Sequence, residues 1–95
     1  MKRGYIYFMS NKKEGVIYIG VTSDLIKRVC EHKSGEIEGF TKQYKAKKLV
    51  YYEIFDDIYT AISYEKKLKN MGISKKIKII ERDNHEWQDL FKQIL

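Results

Sequence analysis

The sequence predicts an α+β fold in which helices flank a small antiparallel sheet. Two stretches near the N-terminus, residues 5–9 and 16–20, alternate their side chains between two faces as strands do. A polar loop that ends in Gly15 separates them, which predicts a hairpin. A third stretch, Leu49 to Phe55, is rich in aromatic and branched residues. We therefore expect a central sheet of three strands.

The hairpin brings two tyrosines together. Its simplest symmetric register pairs Met9 with Val16 and therefore Tyr7 with Tyr18. The two phenols then lie side by side on one face of the sheet. The opposite face is apolar and needs burial against another element; it carries Ile6, Phe8, Ile17 and Ile19.

Size and charge limit the possible classes of function. The chain is expected to form one domain, 1–95, and its 43% hydrophobic residues suffice for one modest core. A formal net charge of +6 suits a polyanionic partner such as nucleic acid, although many proteins share it. The lone Cys30 excludes a disulfide framework and indicates a reducing, cytoplasmic location. No apolar stretch predicts a signal peptide or a membrane span.

The first helix is expected to carry a basic pair. Cap residues at 22–24 predict a helix that runs to Ser34. Arg28 and His32 lie one turn apart on it, so both can reach the same point in space. Cys30 is expected to lie in its buried stripe.

Three further helices are predicted after the third strand. One runs from about Ile58 to Asn70. Ser74 is expected to cap the next. A capping box at 83–86 predicts that the last helix begins there, with Trp87 on its buried face.

The segment between Ser34 and Lys48 is polar and basic, and it predicts a long loop. Lys42, Lys45 and Lys48 are the residues expected to bind nucleic acid, because a loop with this charge could follow a phosphate backbone. An ordinary solvated surface loop is an equally good interpretation.

Glu65 breaks the apolar pattern of the second long helix. It falls between Ile62 and Leu68, where the pattern favours a hydrophobic residue. A functional carboxylate is one explanation. The other is an ion pair with Lys69, one turn further along the helix.

Together these residues resemble the GIY-YIG nuclease domain over nearly the whole chain. Each motif alone is a weak signal, but their order and spacing in one short chain are specific. The segments that carry the resemblance are 5–7, 18–25, Arg28 with His32, 40–42, 65–66, and Asn84 followed by Trp87.

The resemblance implies a fold and an activity. The fold is a central three-stranded antiparallel sheet flanked by helices, and the activity is hydrolysis of a nucleic-acid phosphodiester, in DNA by expectation, with one divalent metal ion, Mg²⁺ or Mn²⁺. Matching residues give the catalytic set, in which Glu65 is also the metal ligand: Tyr7, Tyr18, Arg28, His32, Glu65 and Asn84.

The chemistry of these side chains fits that reaction. Tyr7 could act as general base if neighbouring cations lowered its pKa. Arg28 is permanently charged and suits the non-bridging oxygens of the phosphate. His32 could pass protons or orient Tyr18. Gly20 leaves room for a phosphate, although a strand-end turn explains it equally well.

The sequence departs from the family pattern at three places. Tyr5 replaces the usual first glycine, which removes no catalytic atom. His85 follows Asn84 where relatives often have proline, and Met71-Gly72 stands where relatives often have a tryptophan; these differences affect the geometry near Asn84 more than the metal site.

Two other functions remain open at this stage. One is a catalytically silent nucleic-acid-binding module. The other is an interaction domain that docks on a DNA repair or restriction partner, which would supply substrate targeting. The fold alone does not decide between them.

Overall fold

A computed structural model describes residues 2–95 and confirms the α+β fold. Its sheet has three antiparallel strands in the order β2-β1-β3. These are β1 (Gly4–Ser10), β2 (Ile17–Thr22) and β3 (Lys48–Phe55). The central strand β1 is therefore hydrogen-bonded on both sides.

Five helices surround the sheet. No helix within residues 2–95 has the length and apolar character needed to cross a membrane. They are α1 (Leu25–Ser34), α2 (Phe40–Gln43), α3 (Ile58–Lys69), α4 (Ile73–Asp83) and α5 (Phe91–Ile94).

The hairpin register differs from the predicted one by two residues. Tyr7 lies opposite Gly20, and Met9 lies opposite Tyr18. The reason lies in the turn, where the Asn11 side chain accepts a hydrogen bond from the Val16 amide at 3.0 Å and so removes Val16 from the ladder. Because the shift is an even number, every side chain keeps its predicted face.

The sheet is buried on both faces. On one face Ile6, Phe8 and Ile19 pack in a cluster with residues of α3 and α4. On the other face Tyr7 and Met9 pack in a second cluster with residues of α1. This second face positions the candidate site.

Helix α1 begins and ends where the sequence predicts. The Asp24 side chain caps it by accepting from the Lys27 amide, and Gly35 ends it with a φ of 78°. The expectation that Cys30 is buried was wrong, because Cys30 is exposed. The buried stripe of α1 is Leu25, Val29 and His32, and Cys30 lies off that stripe.

The predicted long loop contains a single-turn helix, α2. Thr41 on this turn is buried, with 2% of its surface exposed. The backbone closes the turn through a bond from the Ala46 amide to the Thr41 carbonyl at 2.9 Å. The turn therefore holds one polar side chain inside the domain.

The C-terminal segment differs most from the prediction. Helix α4 extends to Asp83, Asn84 is its C-cap, and no helix opens at 83–86. Trp87 is fully buried as expected, but in a turn with a φ of 56°. Gly72, rather than Ser74, is the N-cap of α4.

Candidate active site

A chain of three polar side chains runs through the buried face between β1 and α1. The Tyr7 hydroxyl lies 3.0 Å from His32 Nε2, and His32 Nδ1 lies 2.9 Å from the Thr41 hydroxyl. All three residues are about 2% exposed. Both ring nitrogens are satisfied when His32 Nδ1–H donates to Thr41 and Tyr7 donates to His32 Nε2.

Gly20 forms the wall behind the Tyr7 ring. A Cβ added at Gly20 would lie 2.4 Å from both Cζ and Oη of Tyr7. The observed register, which places these residues opposite each other, creates this close approach. Gly20 is therefore required for packing against Tyr7, beyond any role at the end of a strand.

Tyr18 lies diagonally across from Tyr7. Their ring centroids are 6.3 Å apart, and the Tyr18 and His32 rings are 5.4 Å apart. The two phenols and the imidazole thus form one aromatic group, although Tyr18 is not directly opposite Tyr7 as the sequence predicted.

The pKa of Tyr7 runs against the expectation from sequence. Burial raises the pKa of this phenol above its ordinary value of 10.0, and the Tyr18 phenol raises it further. The Arg28 charge lowers this pKa, and the Glu65 charge raises it, but burial dominates. Tyr7 is therefore a neutral phenol at pH 7, and its proton has an acceptor in His32.

His32 is neutral at pH 7. Burial and, to a lesser extent, the Arg28 charge together lower the pKa of its imidazole from 6.5 to about 4. The Glu31 charge has the opposite, smaller effect. A neutral ring leaves Nε2 free to accept the Tyr7 proton.

This pKa predicts how stability depends on pH. Because the pKa of His32 is lower in the folded state, the unfolded chain binds the extra proton as the pH falls below about 6.5. The free energy of unfolding should therefore drop by about 2 kcal/mol between about pH 7.5 and about pH 5. Urea denaturation at each pH measures it.

The matched variants are His32→Gln and His85→Gln, since His85 is exposed. His32→Gln should lose most of this pH dependence, whereas His85→Gln should keep it. Equal pH dependence in both variants would contradict a buried neutral His32.

Arg28 faces the rim of this group. Its side chain is 43% exposed and forms an ion pair with Glu31 at 3.6 Å. Its charge still acts on the pKa of both Tyr7 and His32, so it lies within electrostatic range of both. A partly exposed guanidinium at this rim is available to an incoming anion.

Glu65 is 9% exposed, and it lies on the face of α3 that packs on the sheet, between Ala61 and Leu68. Lys69 pairs with its carboxylate at 3.2 Å, which confirms the predicted ion pair. The Glu65 charge also acts on the Tyr7 phenol. Glu65 therefore keeps its ion pair with Lys69 while its charge still reaches the Tyr7 phenol.

Asn84 lies apart from this group. Its amide donates to the Val50 carbonyl on β3 at 3.0 Å and to the Gln88 carbonyl at 2.8 Å, and its oxygen accepts from the Gln88 amide. Tyr18 and Gly20 lie on β2, and β1 separates the two strands. The Asn84 side chain holds a turn against β3, so we assign it no chemical role.

The three lysines predicted to bind nucleic acid differ in their surroundings. Lys42 is exposed and pairs with Glu38 at 3.0 Å. Lys45 is exposed with a φ of 54°, and Lys48 is half-buried at the start of β3. The three lysines therefore lie on different parts of the chain, namely α2, the loop after it and β3.

A metal ion at this site would depend on Glu65. Within the described residues, no group of three or more His, Cys, Asp or Glu side chains is placed to hold one. A single carboxylate still fits Mg²⁺ or Mn²⁺, because such ions keep several waters and take phosphate oxygens as ligands. The donor set therefore suits an ion that binds together with its substrate.

Thr41 is the site residue whose contact with His32 the sequence does not predict. Thr41 belongs to the 40–42 motif, but its role depends on a hydrogen bond to His32, nine residues away. No periodicity marks such a partner. A buried hydroxyl in a segment predicted to be loop can be recognised only in the folded chain.

Comparison with known proteins identifies the class. The family model described as the GIY-YIG catalytic domain matches residues 3–78. A UPF0213 protein of Staphylococcus saprophyticus is 35% identical over 80 residues, which cover 84% of this chain and 96% of that protein. A UPF0213 protein of Haloquadratum walsbyi is 34% identical over 77 residues, which cover 81% of this chain and 85% of that protein.

A solved structure supports the fold. The solution NMR structure of a UPF0213 protein from Bacillus halodurans matches with a TM-score of 0.58 and 24% identity over 95% of each chain. This chain belongs to the GIY-YIG family, a family of nucleases, and its relatives are small UPF0213 proteins.

Proposed function

We propose that this protein is a metal-dependent endonuclease that hydrolyses phosphodiester bonds of nucleic acid, with DNA as the first substrate to test. The observation that carries the proposal is the buried Tyr7–His32–Thr41 chain, packed on Gly20. Family membership supports the reaction class.

Tyr7 and His32 would act as a proton relay. The attacking water gives a proton to the Tyr7 oxygen while the Tyr7 proton passes to His32 Nε2. The water oxygen bonds to phosphorus and the bond to the leaving alkoxide breaks. No free phenolate is needed, which suits a phenol whose pKa is raised.

The substrate itself assists this relay. An anionic phosphate near His32 favours the protonated imidazole and so raises the pKa of that ring from about 4. Thr41 holds the ring at Nδ1, which keeps Nε2 directed at Tyr7.

Arg28 would stabilise charge on the phosphate. The reaction concentrates negative charge on the non-bridging oxygens, and a guanidinium donates two parallel hydrogen bonds to such a group. Arg28 would exchange its exposed partner Glu31 for the phosphate, at low cost because surface ion pairs are weak.

Glu65 would hold the metal ion. When bound, Mg²⁺ or Mn²⁺ supplies charge stabilisation for the phosphate and the departing oxygen. Lys69, which pairs with Glu65 at 3.2 Å, would release the carboxylate and can then face the phosphate backbone.

Metal removal gives the first test. Purified protein should cut an end-labelled DNA strand with Mg²⁺ or Mn²⁺ and stop when a chelator is added. Glu65→Gln should raise the Mg²⁺ concentration for half-maximal rate by about tenfold or more. Glu86→Gln is the control, because its carboxylate is 63% exposed and pairs with Lys13.

The alternative of a silent binding module makes a different prediction. Binding without cutting, equally strong with and without metal and steeply reduced by salt, would favour it. Cutting that survives the chelator would contradict a metal-dependent enzyme.

A further inference from the structure

A groove beside the candidate active site combines aromatic and cationic walls. It encloses about 300 Å³, opens to solvent and follows β2, an edge strand of the sheet. Because Tyr18 belongs to both, the groove opens next to the Tyr7 and His32 group. Its lining residues are Ile17, Tyr18, Ile19, Phe40, Lys69 and Lys76.

Tyr18 and Phe40 form the aromatic wall of the groove, and Tyr44 packs on Phe40 with a tilted ring. Phe40 lies 6.2 Å from Tyr18 with an angle of 27° between ring planes, and Tyr44 packs on Phe40 at 4.8 Å. Phe40 and Tyr44 are 41% and 45% exposed. Two large aromatic side chains next to each other in solvent, on one turn of helix, gain little from the core and are available to a ligand.

Two lysines, Lys69 and Lys76, also line the groove. Lys69 reaches from Glu65 to this groove. The Lys76 amine donates to the Lys69 carbonyl at 3.3 Å, which holds it at the same wall. A flat apolar face and two ammonium groups in one groove match the two halves of a nucleotide, the base and the phosphate.

We propose that this groove binds one unpaired nucleotide next to the cleaved phosphodiester, with its base on Phe40 and its phosphate facing Lys69 and Lys76. A paired base in a duplex is covered by its neighbours and cannot stack on a side chain. The preferred substrate is therefore a single strand or a locally unpaired site. This inference rests on the proposed function and names its substrate class.

Binding without cleavage tests the groove. Fluorescence anisotropy measures binding of the full chain, with a chelator present, to three labelled probes. These are a DNA strand, the same strand in a duplex, and its RNA counterpart. Phe40→Leu keeps apolar bulk but removes the aromatic face, and it should weaken single-strand binding about tenfold. Tyr59→Leu, an aromatic residue 72% exposed at the start of α3, should change nothing.

A stacking readout makes the result specific. A 2-aminopurine base in the strand should lose fluorescence when it binds the wild type and should lose far less with Phe40→Leu. If Phe40→Leu loses affinity for the DNA strand, for the RNA strand or for each of them, the proposed nucleotide site is supported. The pattern of loss also shows which sugar the groove accepts.

Three results would overturn the groove: unchanged single-strand affinity in Phe40→Leu, equal losses for strand and duplex, or no strand binding by the wild type. The proposed function is tested separately, since metal-dependent cutting by the wild type can be present while Phe40→Leu has no effect.

Discussion

Tyr7→Phe is expected to reduce single-turnover cleavage by about 10²- to 10⁴-fold, because it removes the only oxygen that links the attacking water to His32 in the proposed relay. Binding should remain, since the phosphate contacts lie elsewhere. The variant should still fold, although His32 Nε2 loses its partner at a cost of about 1–3 kcal/mol.

The matched control is Tyr5→Phe. Tyr5 lies on the same strand, β1, two residues before Tyr7 and on the same face of the sheet. It should cleave at nearly the wild-type rate. If Tyr7→Phe kept its rate, or if both variants lost it equally, the relay would be wrong.

Gly20→Ala is expected to damage the site without removing any functional group. The new Cβ would meet the Tyr7 ring at 2.4 Å, and this ring is 2% exposed and hydrogen-bonded, so it must tilt away from His32. The overpacking should cost about 1–3 kcal/mol in the free energy of unfolding. Displacing the hydroxyl should lower the cleavage rate about a hundredfold or more.

Gly72→Ala is the control for a change of the same size. Its added Cβ meets nothing within 4 Å, and its φ of −67° suits alanine. Its stability should stay within about 1 kcal/mol of wild type, and its rate should be unchanged. Thermal unfolding and single-turnover rates measure both variants. A Gly20→Ala protein with wild-type rate would show that Tyr7 is not held as described.

Much of the fold could be predicted because it depends on local pattern. Alternation located the first two strands, a run of aromatic and branched residues located the third, and the cap at Asp24 located α1. Glu65 stood out as a carboxylate in an apolar stripe, and the structure buries it. Each of these signals is contained within a few consecutive residues of the chain.

The sequence was less informative where distant residues decide the outcome. The hairpin register depends on one Asn11 hydrogen bond. The capping box at 83–86 does not begin a helix, because the Asn84 side chain binds the backbone of β3 instead. The direction of the Tyr7 pKa depends on burial, which outweighs the Arg28 charge. Such effects depend on tertiary contacts that no local pattern specifies.

The central claim is that Tyr7, acting through His32, takes part in cutting phosphodiester bonds. The most direct test compares the wild type and Tyr7→Phe, purified identically, for cutting an end-labelled single strand with Mg²⁺ in excess over a chelator. The account predicts cutting by the wild type and a loss of about a hundredfold or more in the variant. No cutting by the wild type, or equal rates in the two proteins, would contradict it.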